Sequence, residues 1–354
     1  VSALDRCDSI VAAVTEAAER ETALQIVGGD TKSFYGRQPE GALLSVGEHR
    51  GLTHYDPTEL VVSARAGTQL SELCTALANE RQMLPFEPPG FGDQATVGGT
   101  VACGFSGPAR PYRGSLRDYV LGVSVVNGRG EHLQFGGRVI KNVAGYDASR
   151  LMAGAMGTLG VILDVSFKVL PIPEAECTLS FESGEREALR RMNEAAALPL
   201  PITGSCYYDG ILKLRLSGSA VGVSAATANL GGVVDSLNNR LWEELAEHQH
   251  PYYGSPLPLW RLSVPAAAGP LDLPGDSLIE WGGCQRWLCS ELPAEHIREA
   301  VRAAGGHATL FRGGDRSGQT FQPHDPVLHR LHLRLKQAFD PHRILNPGRL
   351  YPEL

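Results

Sequence analysis

Apolar positions along the first half of the chain switch between a period near 3.6 and short unbroken runs, which predicts helices and strands in alternation. Ile10, Val11, Val14, Ala17 and Ala18 recur at helical spacing behind Asp8 and Ser9, so a capped first helix is expected there. The runs at 24–27, 42–46 and 60–64 have strand length, and Leu70, Leu73, Cys74 and Leu77 return to the helical period. Residues 120–126 and 132–135 read as a hairpin around the turn Asn127-Gly128-Arg129-Gly130. A helix is expected over 148–155, followed by a glycine corner and a strand over 161–169. After Pro171-Ile172-Pro173 the pattern changes. Amphipathic helices are expected over 185–197, 220–228 and 233–247, with short strands at 211–216 and 278–281 between them. Leu328, Leu331, Leu335 and Phe339 then share one face of a final helix over 325–339.

Between these elements lie loops too rich in glycine to be ordinary connections. The stretch 90–122 holds Gly90, Gly92, Gly98, Gly99, Gly104, Gly107, Gly114 and Gly122 among small and hydroxylated residues. Glycine loses the most conformational entropy on ordering, so such a run is a liability unless something bound offsets it. Gly28-Gly29-Asp30-Thr31-Lys32 and Gly154-Ala155-Met156-Gly157-Thr158-Leu159-Gly160 repeat the feature. Three small-residue loops in one half of a chain suggest one long, phosphate-bearing cofactor. At the first loop, free amides can gather round a phosphate and Lys32 adds charge. The loop matches neither the Walker nor the Rossmann glycine pattern, and an ordinary glycine turn is the competing reading.

At 354 residues the chain is long enough for two domains, and the proline-marked change at 172–173 is the expected boundary. With 43% hydrophobic and 20% charged residues it will bury a sizeable core. A net charge of -7 without a lysine or arginine cluster argues against nucleic acid as a partner. The seven cysteines are scattered and odd in number, which fits reduced thiols in the cytosol. Cys284 and Cys289 lack further ligands nearby, as do His329 and His332, so no metal is expected. No apolar run approaches a membrane span, and the amino terminus lacks a signal layout; a cytoplasmic location is expected.

The loops carry a family likeness. Gly28-Gly29-Asp30-Thr31-Lys32, Thr96-Val97-Gly98-Gly99-Thr100, Ser106-Gly107-Pro108, Arg113-Gly114-Ser115-Leu116-Arg117-Asp118 and Gly157-Thr158-Leu159-Gly160-Val161-Ile162 resemble the FAD-binding domain shared by vanillyl-alcohol oxidase and p-cresol methylhydroxylase, over residues 5–172. The tail 338–349 looks like the 2-hydroxy acid dehydrogenase branch. Lys141-Asn142-Val143-Ala144-Gly145-Tyr146-Asp147, residues 305–312 and the short second domain look most like the FAD-binding E subunit of bacterial glycolate oxidase. The resemblance implies an α+β fold in three parts. A p-cresol methylhydroxylase-type FAD domain of two subdomains spans 1–172, a small α+β cap spans 173–306, and a segment over 307–354 packs back on the FAD domain.

It also implies FAD, with the diphosphate on Gly28, Gly29, Asp30, Thr31 and Lys32. The rest of the cofactor would lie across Pro89, Thr96, Gly98, Gly99, Thr100, Ser106, Gly107, Gly114, Ser115, Asp118, Tyr146, Gly157, Gly160, Val161 and Ile162. Thr31 stands where covalent members of the family carry a histidine, so the flavin should be noncovalent. Implied partners are a larger FAD-containing subunit and an iron-sulfur subunit, in a complex peripheral to the inner membrane that oxidises glycolate or a related small 2-hydroxy acid. Such a substrate needs a cation for its carboxylate and a base for its hydroxyl proton. Arg312, Arg261 and His307 are the candidates, although the larger subunit's histidine-rich metal motif is reduced here to His307 alone. Two other readings stand beside catalysis: an accessory subunit that holds FAD for electron relay or structure, and a reductase of the same fold that accepts a nicotinamide hydride.

Overall fold

The computed structural model describes residues 3–138, 147–235 and 240–354. The first helix, Cys7–Glu19, buries Ile10, Val14 and Ala17. Its leading amide, Cys7 N–H, is capped by the Asp5 carboxylate at 2.9 Å rather than by Asp8, which sits inside the first turn. The parallel strands Leu24–Val27 and Ala42–Ser45 share a core with this helix, with Val161 and Leu163, and with Ile344 and Leu345 from the far end of the chain. A five-stranded antiparallel sheet follows, in the order Leu52–Asp56, Val61–Arg65, Val161–Lys168, Val120–Val126, His132–Gly136. Leu70–Asn79 packs Leu73 and Leu77 into its core beside Phe86 and Phe167.

Two expected helices are not formed as read. Residues 148–155 make successive turns instead, because Met156, Gly154 and Gly157 take φ of 50°, 85° and 74° and the amides of Gly154 and Met156 bond outward, to the carbonyls of Val101 and Ala102. Those carbonyls belong to a helix inside the glycine stretch, Val97–Cys103, which Thr96 caps at Gly99 N–H and Gly104 ends in the left-handed region. Of the helix expected over 233–247, the described residues form Leu241–Ala246, and Val233–Val234 forms an edge strand after the positive-φ pair Gly231 and Gly232.

The second half of the chain is built on one antiparallel sheet. Its eight strands run in the order Val233–Val234, Ala175–Glu182, Ile211–Gly218, Ile202–Tyr208, Ser277–Glu280, Gln285–Cys289, Leu259–Ser263, His307–Arg312. Helices Glu185–Ala196 and Ala220–Leu230 bury Leu189, Met192 and Val223 against it, and Ala294–Ala303 buries Ile297 and Val301 beside Trp260 and Leu262. The strand His307–Arg312 pairs with Leu259–Ser263 over its length, so the sheet continues past the division expected after Gly306. The last helix, Pro326–Phe339, returns to the first half, where Leu335 and Phe339 meet the five-stranded core. Leu328 and Leu331 remain 39% and 48% exposed, so only the carboxyl-terminal half of the predicted stripe is covered.

Candidate functional site

The sequence places its first glycine loop directly after the strand Leu24–Val27, and the fold sets that loop opposite the start of helix Val97–Cys103 and the corner at Gly157–Gly160. Between them lies a cavity of about 110 Å³, partly open to solvent. Gly28, Gly29, Asp30, Thr31 and Lys32 line it, with Thr96, Gly98 and Gly99 across the gap and Gly157, Gly160 and Ile162 on a third side. The carboxyl-terminal tail closes it with Asn346 and Arg349. Asn346 accepts from Ile26 N–H and donates to the Met156 carbonyl, both at 2.7 Å, which ties the tail to two of the cavity's walls.

Lys32 is the charge at its centre. It is 7% exposed, and its ammonium donates to the carbonyl of Gly90 at 3.0 Å and to Thr31 Oγ1 at 3.2 Å, without a carboxylate partner among the described residues. Burial lowers its pKa. Arg349 stands beside it, donating to the Lys32 carbonyl at 3.3 Å. The glycines themselves serve mainly to bring backbones together: a Cβ on Gly29 would fall on the Gln94 carbonyl, one on Gly28 on Thr96 Oγ1, and one on Gly98 within 2.6 Å of Ala66 Cβ. Gly99 differs, since a Cβ there meets only Thr96 Oγ1, at 3.2 Å, and otherwise faces the cavity.

A second, smaller cleft, of about 30 Å³, lies between Pro89–Phe91 with Phe105–Pro108 and the eight-stranded sheet. Pro89, Ser106 and Gly107 line it, as does Arg261. Arg261 rests 5.9 Å from the centroids of Tyr35 and Phe311, and Arg312 lies 4.6 Å from Phe34 and 5.5 Å from Phe91. Neither guanidinium makes an ion pair among the described residues. His248, held at φ 53°, stacks flat on Tyr253 with centroids 3.9 Å apart, and its buried Nδ1 has no hydrogen-bond partner. Burial, reinforced by the Arg312 and Arg261 charges, keeps its imidazole well below the usual range and therefore neutral.

Among the described residues Glu280 is the one carboxylate of the cleft wall. It is 3% exposed and accepts from Trp287 Nε1 at 2.7 Å and from Gln285 Nε2 at 3.3 Å. Burial pushes its pKa up from 4.5 to about 7, against the pull of those two donors. The folded state thus keeps a proton that the unfolded chain releases, so stability falls as pH rises from 4.5 to about 7. The loss from this group is about 3 kcal/mol. Glu280→Gln is expected to remove that slope, and denaturant unfolding of both proteins at pH 5 and pH 8 checks it. Parallel pH dependences would show that Glu280 is ionised in the folded chain.

Other predicted residues lie elsewhere. Ser115 and Asp118 cap a short helix, Leu116–Tyr119, with Ser115 N–H on Asp118 Oδ2 at 2.8 Å, and Gly114 precedes them at φ 103°. Thr100 is buried within its helix, and Val161 faces the core around Val126 and Leu163, so neither lines the large cavity. His307 is exposed at the start of its edge strand and lines neither cleft. Tyr146 lies outside the described residues.

Against known proteins, residues 3–136 match the model of an FAD binding domain. Over 354 residues the chain is 47% identical to glycolate oxidase subunit GlcE of Escherichia coli, covering 99% of this chain and 100% of that one. The chain belongs to the GlcE family of glycolate oxidase subunits. It is also 30% identical to glycolate oxidase subunit GlcD of Bacillus subtilis over 174 residues, 49% of this chain and 37% of that protein, and 36% identical to D-lactate dehydrogenase of Anaerostipes hadrus over 140 residues, 39% and 29% of the two. A solved alkyldihydroxyacetonephosphate synthase superposes with a TM-score of 0.66 at 16% identity, covering 97% of this chain and 76% of that one, which shows a shared fold.

The cofactor of this GlcE-family chain is FAD, and the residues of the large cavity fit it: a buried ammonium without a carboxylate, a second cation at Arg349, and apolar walls from Ile26, Met156 and Ile162. The family's loops gave no sign of His248, Glu280, Trp287, Asn346 and Arg349 as parts of the two sites. Glu280 had a signal, being a lone carboxylate in the apolar run Leu278-Ile279-Glu280-Trp281. The tail residues had none beyond family likeness.

Proposed function

We propose that this chain is the FAD-holding subunit of a complex that oxidises glycolate or a related small 2-hydroxy acid, and that it takes part in the chemistry through its own second cleft. The observation that carries the reading is full-length similarity to the Escherichia coli GlcE subunit, together with a buried Lys32 that makes no ion pair among the described residues and lines a cavity walled by three glycine loops. In this reading Lys32, Arg349 and the amides of the first loop hold the diphosphate, and Thr31 makes no covalent bond to the flavin. Bound FAD supplies an acceptor for two electrons and a proton. The chain's own residues orient the substrate: Arg261 supplies the charge for a carboxylate, with Arg312 behind the Phe91 ring rather than in the cleft lining, neutral His248 offers an unpartnered ring nitrogen, and the rings of Phe91, Phe105 and Phe311 exclude water.

The rest of the assembly belongs to the same proposal. A larger flavin subunit and an iron-sulfur subunit complete the complex, in the cytoplasm and peripheral to the inner membrane. Among the described residues no helix is long and apolar enough to cross a membrane. The chain divides into an FAD domain over 1–172, a cap that begins at 173 and extends past Gly306 to include the strand His307–Arg312, and a returning segment after it.

One observation favours the relay reading: His307, the single histidine left of the larger subunit's motif, is exposed and lines neither cleft. Anaerobic addition of glycolate to the intact complex, followed by flavin bleaching, separates the two. With Arg261→Ala, loss of one charge-assisted contact is expected to raise the glycolate concentration for half-maximal bleaching by roughly 10- to 100-fold. An unchanged concentration dependence would assign substrate binding to another subunit.

A further inference from the structure

One peptide group behind the Lys32 ammonium, beside the second cleft, carries a carboxylate at one end and an ammonium at the other. Its N–H, on Phe91, donates to Glu247 Oε2 at 2.7 Å; its carbonyl, on Gly90, accepts from Lys32 Nζ at 3.0 Å and from Thr31 Oγ1 at 2.7 Å. The preceding amide, Gly90 N–H, donates to Glu247 Oε1, also at 2.7 Å. Glu247 follows the helix Leu241–Ala246, so it comes from the half of the chain built on the eight-stranded sheet, whereas Lys32 and Thr31 close the first glycine loop. Bonds to charged groups are about twice as strong as neutral ones, and groups bonded in series polarise one another.

The loop that carries this peptide is strained and held from outside. Phe91 and Gly92 take φ of 52° and 129°, and Glu87, at 46°, is paired with Arg215 of the second sheet at 2.7 Å. Non-glycine residues persist in that region only where their surroundings over-determine them. Here two side chains of the second sheet's half, Glu247 and Arg215, do the holding.

We propose that Glu247 is a positioning residue for the cofactor cavity: acting through the Gly90–Phe91 peptide, it fixes the Lys32 ammonium, so that engagement of a diphosphate at Lys32 and seating of the second half on the Pro89–Gly92 loop are coupled. The inference rests on the FAD reading of that cavity. A carboxylate confined to structural clamping would act on the loop whether or not Lys32 were present; one that acts through Lys32 would not.

FAD affinity of the full-length apoprotein in a double-mutant cycle distinguishes these. Glu247→Gln is expected to weaken FAD binding roughly fivefold to tenfold with Lys32 in place and less than about twofold in a Lys32→Met background. Equal penalties in the two backgrounds, or none in either, overturn the proposal. A second measurement needs no flavin. In lysine-labelled apoprotein followed by NMR, Glu247→Gln is expected to lower the Lys32 titration midpoint by roughly half a unit, since the facing carboxylate opposes the effect of burial. An unmoved midpoint overturns the coupling. Failure of the unmutated chain to bind FAD would remove the cofactor reading, while this titration would still decide the role of Glu247.

Discussion

Gly99→Val is expected to leave the chain folded and to abolish its hold on FAD. Gly99 sits at the third position of a helix that Thr96 caps, with ordinary helical φ, so a side chain there incurs no backbone strain. The added Cβ meets only Thr96 Oγ1, at 3.2 Å, and the rest of the valine projects into the cavity between the first glycine loop and the tail. A branched side chain in that space excludes a cofactor without disturbing a core. Gly29→Ala makes the contrast, because its Cβ would fall on the Gln94 carbonyl and force the loop apart. Flavin content and thermal unfolding of both variants check the pair: Gly99→Val colourless with a melting temperature near that of the unmutated apoprotein, Gly29→Ala colourless and destabilised. Stoichiometric flavin in Gly99→Val would mean that the cavity is not the site.

Asp340→Ala is expected to cost about 3–5 kcal/mol of stability, the scale of breaking a buried ion pair from one side. Lys336 and Asp340 are 2% and 0% exposed and meet at 2.8 Å. Lys336 also donates to the carbonyls of Thr158 and Leu345, both at 2.9 Å, and Asp340 accepts from the amides of Ile344 and Leu345 at 3.1 and 2.8 Å. The truncation thus strands a buried ammonium and frees two buried amides. The effect should reach the cofactor. The same tail segment lays Asn346 and Arg349 along the cavity wall, with Leu24 N–H on the Ile344 carbonyl and Asn346 N–H on the Leu24 carbonyl. Denaturant unfolding measures the first effect and FAD affinity the second; a loss below about 1 kcal/mol would show that the pair is replaced by water.

The first half of the fold was legible because its strands and helices carry one period each and three glycine loops recur between them. The reason for those glycines was not legible. Gly28, Gly29 and Gly98 are required by neighbouring protein segments, and only the fold reveals that Gly99 faces open space. The segment 148–155 misled because Leu151, Met152 and Ala155 have helical spacing while their neighbours' amides bond to another helix. Of the second cleft, Arg261, Pro89, Ser106 and Gly107 were singled out in the sequence, but not the cleft they form together. Arg261, His248, Glu280 and Trp287 come from separate segments, and their meeting depends on a strand order in which Ser277–Glu280, Gln285–Cys289 and Leu259–Ser263 lie side by side. Glu247 was hidden for the same reason, since its partners Gly90 and Phe91 lie 157 and 156 residues away.

The central claim is that the cavity around Lys32 holds FAD without a covalent bond. Titration of FAD into the full-length apoprotein, read by flavin fluorescence and followed by acid precipitation of the saturated protein, tests it most directly. The account predicts saturation at one FAD per chain and recovery of all the flavin in the supernatant. A titration that never saturates, or colour that stays with the pellet, would contradict it.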